Sequence, residues 1–340
     1  MRFSIALALF LLPAASALGQ MDDMGGMQGL PRVNAMPEMP TTGVLGNYPI
    51  SRDSSGTSWQ PDNSVHGAVH LMTDDWMLMA HMVLFGVYDS QSGPRGADKA
   101  FLEGMLMGAA RRDRDNGDSI NLRAMLSPDP LVGRSGYPLL LASGETADGA
   151  TALIDRQHPH DLVMELSGSY AHRLDSADSI FLYAADPGEP ALGPPAFMHR
   201  PSGMDIADAP ITHHWLDSTH IVFGVVTGGL VRDAWKVEVS QFTGREPDQF
   251  RYNFDPVRLD STSVRTSWNP APQWSLQVSW GHLVSPEQLA PQVNENRTTA
   301  SATYVTNFGS DSSLAATLAW GLKQESDGTD RKSTRLNSSH

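Results

Sequence analysis

The sequence of 340 residues has no cysteine. Disulfide bonds, thiolate metal sites and cysteine nucleophiles are therefore excluded. Basic residues are also few: 24 Lys and Arg stand against 38 Asp and Glu, which gives a formal net charge of −14 at pH 7. This acidic balance disfavours nucleic acid as a partner and favours metal cations.

Long hydrophobic runs are missing after the first residues of the chain. No downstream stretch has 18 or more uncharged apolar residues, so any membrane-spanning part must be a closed β-barrel rather than a helix. Residues 1–17 differ, because Arg2, an apolar run over residues 5–12 and the small residues 15–17 are typical of a secretory signal peptide. We expect export, with cleavage after Ala17.

Two further regions are set apart by composition. Residues 18–60 are rich in Met, Gly and Pro without a sustained period, which predicts a flexible Met-rich arm. Residues 330–340, DRKSTRLNSSH, match the in-frame translation of a common sequencing-library adapter and are interpreted as an artefact. The remaining residues, 61–329, are predicted to be an incomplete β-barrel.

Alternation of apolar and polar residues dominates this barrel region. In QWSLQVSWGHLV, residues 273–284, one face has Trp274, Leu276, Val278 and Trp280 while the other has polar side chains. Residues 120–126, 235–239 and 312–320 alternate in the same way. A period of two predicts β-strands with two different faces.

The connections between the predicted strands alternate between long and short. We place eleven strands, at residues 76–88, 101–112, 118–126, 161–172, 178–186, 219–231, 235–245, 259–268, 273–284, 297–308 and 312–321. Short turns at one end and long loops at the other are typical of outer-membrane barrels, which in bacteria have even strand numbers. The sequence thus predicts an all-β, antiparallel transmembrane β-barrel of about 12 strands when complete, lacking at least one C-terminal strand.

Methionine and histidine mark one face of the first predicted strands. Met77, Met79 and His81 alternate with apolar residues that would face lipid, and Met105 and Met107 share a face of the next strand. Thioether sulfur and imidazole suit Cu(I) better than hard cations. The alternative is that methionine only fills irregular space in the lumen.

Histidines also cluster in the predicted long loops. His158 and His160 are two residues apart, so both rings lie on one side of an extended chain, with Asp161 next to them. Such a pair can bind a divalent ion, copper or zinc, although a polar loop with backbone hydrogen bonds would look the same. The other loop candidates are His199, His213, His214, Asp217 and His220.

Catalytic arrangements can also be drawn from these loops. Ser218 with His220, or His214 with Asp217, would form part of a hydrolytic triad, and His158, His160 and His214 would form a zinc hydrolase site. Because triads are recognised by geometry rather than spacing, we predict no catalytic residue. Nor does the sequence indicate an organic cofactor.

A resemblance covers about residues 56–321. The motifs GTSWQPD, HLMTDDWMLMAH, LIDRQHPHDLVMEL, GEPALGPPAFMHRPSGMD and PITHHWLDSTHIVFGVVT resemble a family of exported, uncharacterised bacterial proteins often encoded beside copper-resistance genes. The resemblance implies a role in copper or heavy-metal handling at the outer membrane, as a channel or a metal-binding protein. Metal ions, the lipid bilayer and periplasmic copper-resistance proteins that contact the arm are the expected partners. The alternative is a soluble periplasmic metalloprotein with a histidine site, including a hydrolase.

Overall fold

The computed structural model describes residues 40–65, 67–309, 312–327 and 330–339, and these form fifteen β-strands. Residues 1–39, which include the predicted signal peptide and the methionines of the arm, lie outside the described residues. The strands are β1 (Val69–Met72), β2 (Met77–Ser90), β3 (Asp98–Asp113), β4 (Ser119–Leu126), β5 (Tyr137–Thr146), β6 (Ala152–Gln157), β7 (Val163–Arg173), β8 (Asp178–Ala185), β9 (Val225–Arg232), β10 (Trp235–Phe242), β11 (Ser261–Ala271), β12 (Trp274–Leu283), β13 (Glu295–Phe308), β14 (Ser312–Glu325) and β15 (Asp330–Ser339).

Thirteen of these strands form one antiparallel sheet, in the order in which they occur along the chain. The predicted all-β antiparallel architecture is confirmed, and each of the eleven predicted strands is present. The sequence analysis missed β1, which has only four residues, and the separate hairpin of β5 and β6. Among the described strands, β1 and β15 are the two edges of the sheet and do not pair with each other. The last strand, β15, comes from the residues attributed above to an adapter and pairs along β14.

The predicted alternation of connections is confirmed. From β1 to β14, short turns and long connections alternate along the large sheet, with the short turns at one end, here called the turn end, and the long connections at the other, the loop end. The β14–β15 connection, between Glu325 and Asp330, is short but falls at the loop end. The turns occupy residues 73–76, 114–118, 174–177, 233–234 and 272–273, with a further one that begins at Gly309, and the long connections occupy residues 91–97, 127–162, 186–224, 243–260 and 284–294.

The two faces of the sheet have opposite polarity. On β10, Lys236 and Glu238 are 0% exposed while Val237 between them is 45% exposed, and on β12 Val278 is 59% exposed. Buried charge and exposed apolar surface invert the pattern of a soluble sheet. This is the pattern of strands that face lipid on one side and a polar lumen on the other.

The sheet curls around chain segments that fill its inner side. Arg123 of β4 donates to the carbonyl of Gly56 at 2.7 Å, and Arg265 of β11 donates to the hydroxyl of Thr57 at 3.0 Å. In a flat sheet, β4 and β11 would be about 24 Å apart, since five strand spacings of about 4.8 Å separate them. Contacts from both strands to neighbouring residues therefore require a strongly curved sheet.

Residues 40–60 correct the prediction of a flexible arm. Instead of projecting freely, they pack on the inner face, where Leu45, Tyr48 and Trp59 form a buried cluster with Phe181 and Val231. The apolar residues of this segment have no regular spacing, because its backbone forms neither a long helix nor a strand. It is nevertheless ordered, because its backbone carbonyls accept hydrogen bonds from lumenal Arg and Lys side chains.

The second filling segment is the β8–β9 connection, residues 186–224. Its backbone donates to Ser240 of β10 and Ser279 of β12, both at 2.8 Å, and its Ser202 hydroxyl bonds Thr317 of β14 at 2.8 Å. Because these strands are spread around the sheet, the connection crosses the inner space. It therefore carries its histidines to the inside of the sheet rather than away from it.

Helical structure in the described residues is limited to short turns, of which α1 (His213–Leu216) and a 3-10 turn at Ser218–His220 matter for the site. No helix in the described part of the chain is long and apolar enough to cross a membrane.

Candidate metal centre

Three histidines from two long connections meet at the inner side of the sheet. His160 comes from the β4–β7 connection, and His213 and His220 come from the β8–β9 connection. His213 begins the short helix α1 and His220 ends the 3-10 turn that follows, with Asp217 in a non-helical conformation between them. Their metal-binding atoms and that of His160 all lie within 4.8 Å of one another, and all three residues are buried. We call this the three-histidine site.

The Nδ1 atom of each of the three rings makes a hydrogen bond that fixes the orientation of the ring. His160 Nδ1 bonds the Asp129 carboxylate at 2.7 Å, and His213 Nδ1 bonds the Asp217 carboxylate at 2.9 Å. The Nδ1 atom of His220 bonds the backbone carbonyl of Asp217 at 2.9 Å. Carboxylate and carbonyl acceptors at Nδ1 place the proton on that nitrogen and leave the Nε2 lone pair free for a metal.

The Nε2 atoms of His160, His213 and His220 point into the site. None of the three makes a hydrogen bond to a residue in the described ranges, although all three are buried. A buried polar atom without a partner is costly and requires an explanation. Three such atoms together, on rings held from behind by hydrogen bonds, are the arrangement of a metal ligand set.

Burial also favours the neutral, metal-binding form of the His213 and His220 imidazoles. Burial lowers the pKa of His213, and it lowers the pKa of His220 well below the ordinary value, with the neighbouring imidazoles adding to the effect. The Phe197 ring lies 5.2 Å from the His213 ring and 6.3 Å from the His220 ring and forms an apolar wall beside them. Neutral imidazole is the form that coordinates metals.

The ring separations are close to those of a metal-bound set. The His220 centroid lies 4.9 Å from those of His160 and His213, which are 5.8 Å apart. Nitrogen ligands at about 2.0–2.1 Å from one ion are about 3.3 Å apart in tetrahedral geometry. Small ring rotations therefore suffice to bring the three Nε2 atoms onto one ion and leave a fourth position for another ligand.

Asp217 was a predicted metal ligand, but the structure gives it a supporting position. Its carboxylate accepts from His213 and from Arg200, the latter at 2.7 Å. Asp129, which the sequence analysis missed, has the equivalent role behind His160. It lies 31 residues away from that histidine, so no local spacing could have revealed it.

The remaining loop candidates are not part of the three-histidine site. His158 and His214 each place a ring nitrogen against the carboxylate of the buried Glu145, which the sequence analysis also missed. Asp161 forms a salt bridge with Arg251 at 2.9 Å. His199 Nε2 lies 3.4 Å from the sulfur of Met125.

The predicted lumenal methionines do face inward. Met105, Met107, Met125 and Met164 form a buried cluster with Ile221, which directly follows His220. Met77, Met79, His81 and Met107 line a cavity of about 280 Å³, together with Met198 and His199. Their placement agrees with the strand interpretation, and their binding of copper stays a prediction.

The triads drawn from the sequence are not assembled. Ser218 Oγ accepts a hydrogen bond from Arg297 at 2.8 Å, while the Nδ1 atom of its supposed base His220 is occupied by the backbone. His214 bonds Gln157 and Glu145 rather than Asp217. The geometry thus supports metal binding more than nucleophilic catalysis.

We expect an Asp129→Asn substitution to weaken metal binding about 10- to 100-fold, because it removes the charge that orients His160 and raises its basicity. Competition with a chelator, using detergent-extracted protein, measures the change. Asp62→Asn is the matched control, since Asp62 is also hydrogen-bonded, to Arg52 at 2.6 Å, but lies in the segment at the turn end. Equal affinities of both variants and the unmodified protein would contradict the supporting role of Asp129.

Comparison with known proteins gives limited likeness. No family model matches the chain, and no curated protein matches it. Among solved structures, the outer membrane protein OprD from Pseudomonas aeruginosa is similar over 88% of this chain and 72% of its own, with 10% identity and a TM-score of 0.33. The outer membrane channel DcaP of Acinetobacter baumannii is similar over 84% and 91%, with 9% identity and a TM-score of 0.32. At such scores the likeness supports no functional conclusion.

Proposed function

We propose that this protein is an outer-membrane β-barrel that binds copper inside the barrel and takes part in copper handling. The observation that carries the proposal is the three-histidine site, in which three buried Nε2 atoms without hydrogen-bond partners converge while each Nδ1 is held in place. Export and an outer-membrane location belong to the same proposal.

The outer face of the sheet supports the membrane part of the proposal. Its exposed side chains are apolar along the strands, and Trp235, Trp268 and Trp274 lie where β10, β11 and β12 meet the turn end. Trp235 stacks on Trp268 at 4.9 Å. Aromatic residues at the strand ends are typical of the girdle at a membrane interface. The soluble alternative would instead leave these faces in contact with water, which is unfavourable.

The donor set favours copper. Imidazole suits copper and zinc, and among divalent first-row metals a given nitrogen site binds Cu²⁺ most tightly. The cluster of Met105, Met107, Met125 and Met164, which touches Ile221 beside the site, adds thioethers that prefer Cu(I). Zinc, the other predicted ion, would bind the same imidazoles with lower affinity.

The filled inner space favours a metal-binding protein over an open channel. Residues 40–60 and the β8–β9 connection both occupy the inner face of the sheet and hydrogen-bond to its strands. An open pore would require these contacts to be lost. Thr42, close to the first described residue, accepts a hydrogen bond from Arg111 near the turn end of β3, and the turn end is the periplasmic end in this proposal. The methionines of the arm would contact periplasmic copper-resistance proteins.

The proposal is tested on outer membranes from cells that express the protein during growth with copper. We expect it in the outer-membrane fraction, with different gel mobility before and after boiling, and with copper bound after detergent extraction. Recovery from the soluble periplasmic extract would contradict the membrane part of the proposal. A boiling-dependent shift in a protein that carries no copper would contradict the metal part alone.

A further inference from the structure

A second group of metal-binding side chains lies beside the three-histidine site. Glu145 of β5, His158 and Glu246 of the β10–β11 connection each place a ligand atom within 4.8 Å of the others, and all three are buried. His214 adjoins them through the contact of its Nδ1 atom with the Glu145 carboxylate. We call these four residues the glutamate cluster.

The two tandem histidine motifs are shared between the two groups. His158 belongs to the glutamate cluster and His160 to the three-histidine site, with ring centroids 5.6 Å apart. In the same way, His214 belongs to the glutamate cluster and His213 to the three-histidine site, and their ring centroids are 5.2 Å apart. Each motif therefore supplies one imidazole to each group, so the groups lie side by side.

Charge around the glutamate cluster is not balanced by protein cations. Lys323 is paired with Glu295 at 3.1 Å and with Glu287 at 3.8 Å, and Arg297 is paired with Glu295 at 2.6 Å. Neither Glu145 nor Glu246 has a salt bridge to Lys or Arg among the described residues. Burial, together with the nearby Glu145 and Glu287, raises the pKa of Glu246 well above its usual range, and a divalent cation between the carboxyl groups would relieve this crowding. Uncompensated carboxylates are costly to bury.

The space at the glutamate cluster has the size of a single ion. Glu145, His158, Glu246 and Glu287 line a cavity of about 10 Å³, which is roughly the volume required by one water molecule. Glu246 is only 8% exposed, and its Oε1 atom makes no hydrogen bond to any residue in the described ranges. Arg251 lies 3.3 Å from Nδ1 of His158, so Nε2 is the atom that faces Glu145.

We propose that Glu145, His158 and Glu246 bind a second divalent cation, Zn²⁺, next to the three-histidine site. Mixed carboxylate and imidazole donors are common zinc ligands and suit the softer Cu(I) poorly. The inference deepens the proposed metal-binding function and rests on it for the neighbouring site. In the zinc-bound form the ion would lie against the Glu145 carboxylate, in the place that the ring nitrogens of His158 and His214 face here.

The test is the number of zinc ions bound per chain, measured by plasma mass spectrometry on full-length protein dialysed against EDTA and then against Zn²⁺ alone. We expect about two ions in the unmodified protein, about one in Glu246→Gln, about one in His213→Ala and none in the double variant. Glu189→Gln, which changes a buried glutamate of the β8–β9 connection, is the matched control and should keep both ions.

The outcomes separate the two proposals. If the unmodified protein binds one zinc ion, and this ion is kept in Glu246→Gln but lost in His213→Ala, the second site is overturned and the three-histidine site is supported. One ion that shows the opposite dependence would contradict the proposed function and support the glutamate cluster. Absence of zinc from the folded, unmodified protein would overturn both. The boiling-dependent gel shift establishes that each variant is folded.

Discussion

A His213→Ala variant is expected to lose tight copper binding, with an affinity at least about 100-fold lower than that of the unmodified protein. Loss of a supporting hydrogen bond behind a ligand costs 10- to 100-fold, and this substitution removes a ligand itself together with its bond to Asp217. Only His160 and His220 would remain as imidazole ligands, and two ligands bind a copper ion less tightly than three. Chelator competition on detergent-extracted protein measures the loss.

His282→Ala is the matched control for this substitution. His282 lies on β12 and bonds Asn296 at 2.9 Å, outside the three-histidine site. Its variant should retain full copper affinity, and both variants should keep the boiling-dependent gel shift if the sheet is intact. Undiminished binding by a folded His213→Ala protein would remove the three-histidine site from the account.

A Val278→Arg substitution is expected to destabilise membrane assembly by about 2–4 kcal/mol. Val278 is in the middle of β12 and faces outward, so an arginine there would sit near the bilayer midplane, where such substitutions have this cost. The fraction of protein that shows the boiling-dependent shift, followed through a urea titration in lipid vesicles, measures the effect.

The same substitution separates the membrane protein from the soluble alternative. On a water-exposed surface, an arginine at Val278 would be almost neutral, because Val278 is not packed in a core. Ser176→Arg in the exposed β7–β8 turn is the control and should have little effect in either case. Unchanged stability of Val278→Arg would contradict a lipid-facing outer surface.

Eleven of the fifteen strands in the described residues were predicted from the sequence, because their alternation is local. Lys236 and Glu238 differ from Val237 in the printed sequence just as they differ in exposure, so period two reveals both faces. The strands of the large sheet also pair in the order in which they occur along the chain, with β5 and β6 set apart in their own hairpin. Residues 40–60 were predicted incorrectly because their order depends on distant partners such as Arg123 and Arg265.

The candidate site was predicted only in part, for the same physical reason. Histidines were identified by residue type and by their clustering in the predicted long loops. The division of His158 and His160 between two groups was not a local signal, because it depends on Glu145, Glu246 and Asp129 from other connections. Contacts between long connections are set by the curvature of the sheet, which no short motif encodes.

The most direct test of the account is anomalous X-ray scattering at the copper edge, from crystals of the detergent-extracted protein grown with copper. We predict an anomalous copper peak about 2.0–2.1 Å from the Nε2 atoms of His160, His213 and His220, which is the usual metal–imidazole distance. A structure with the three rings in place and copper peaks only elsewhere would contradict the central claim.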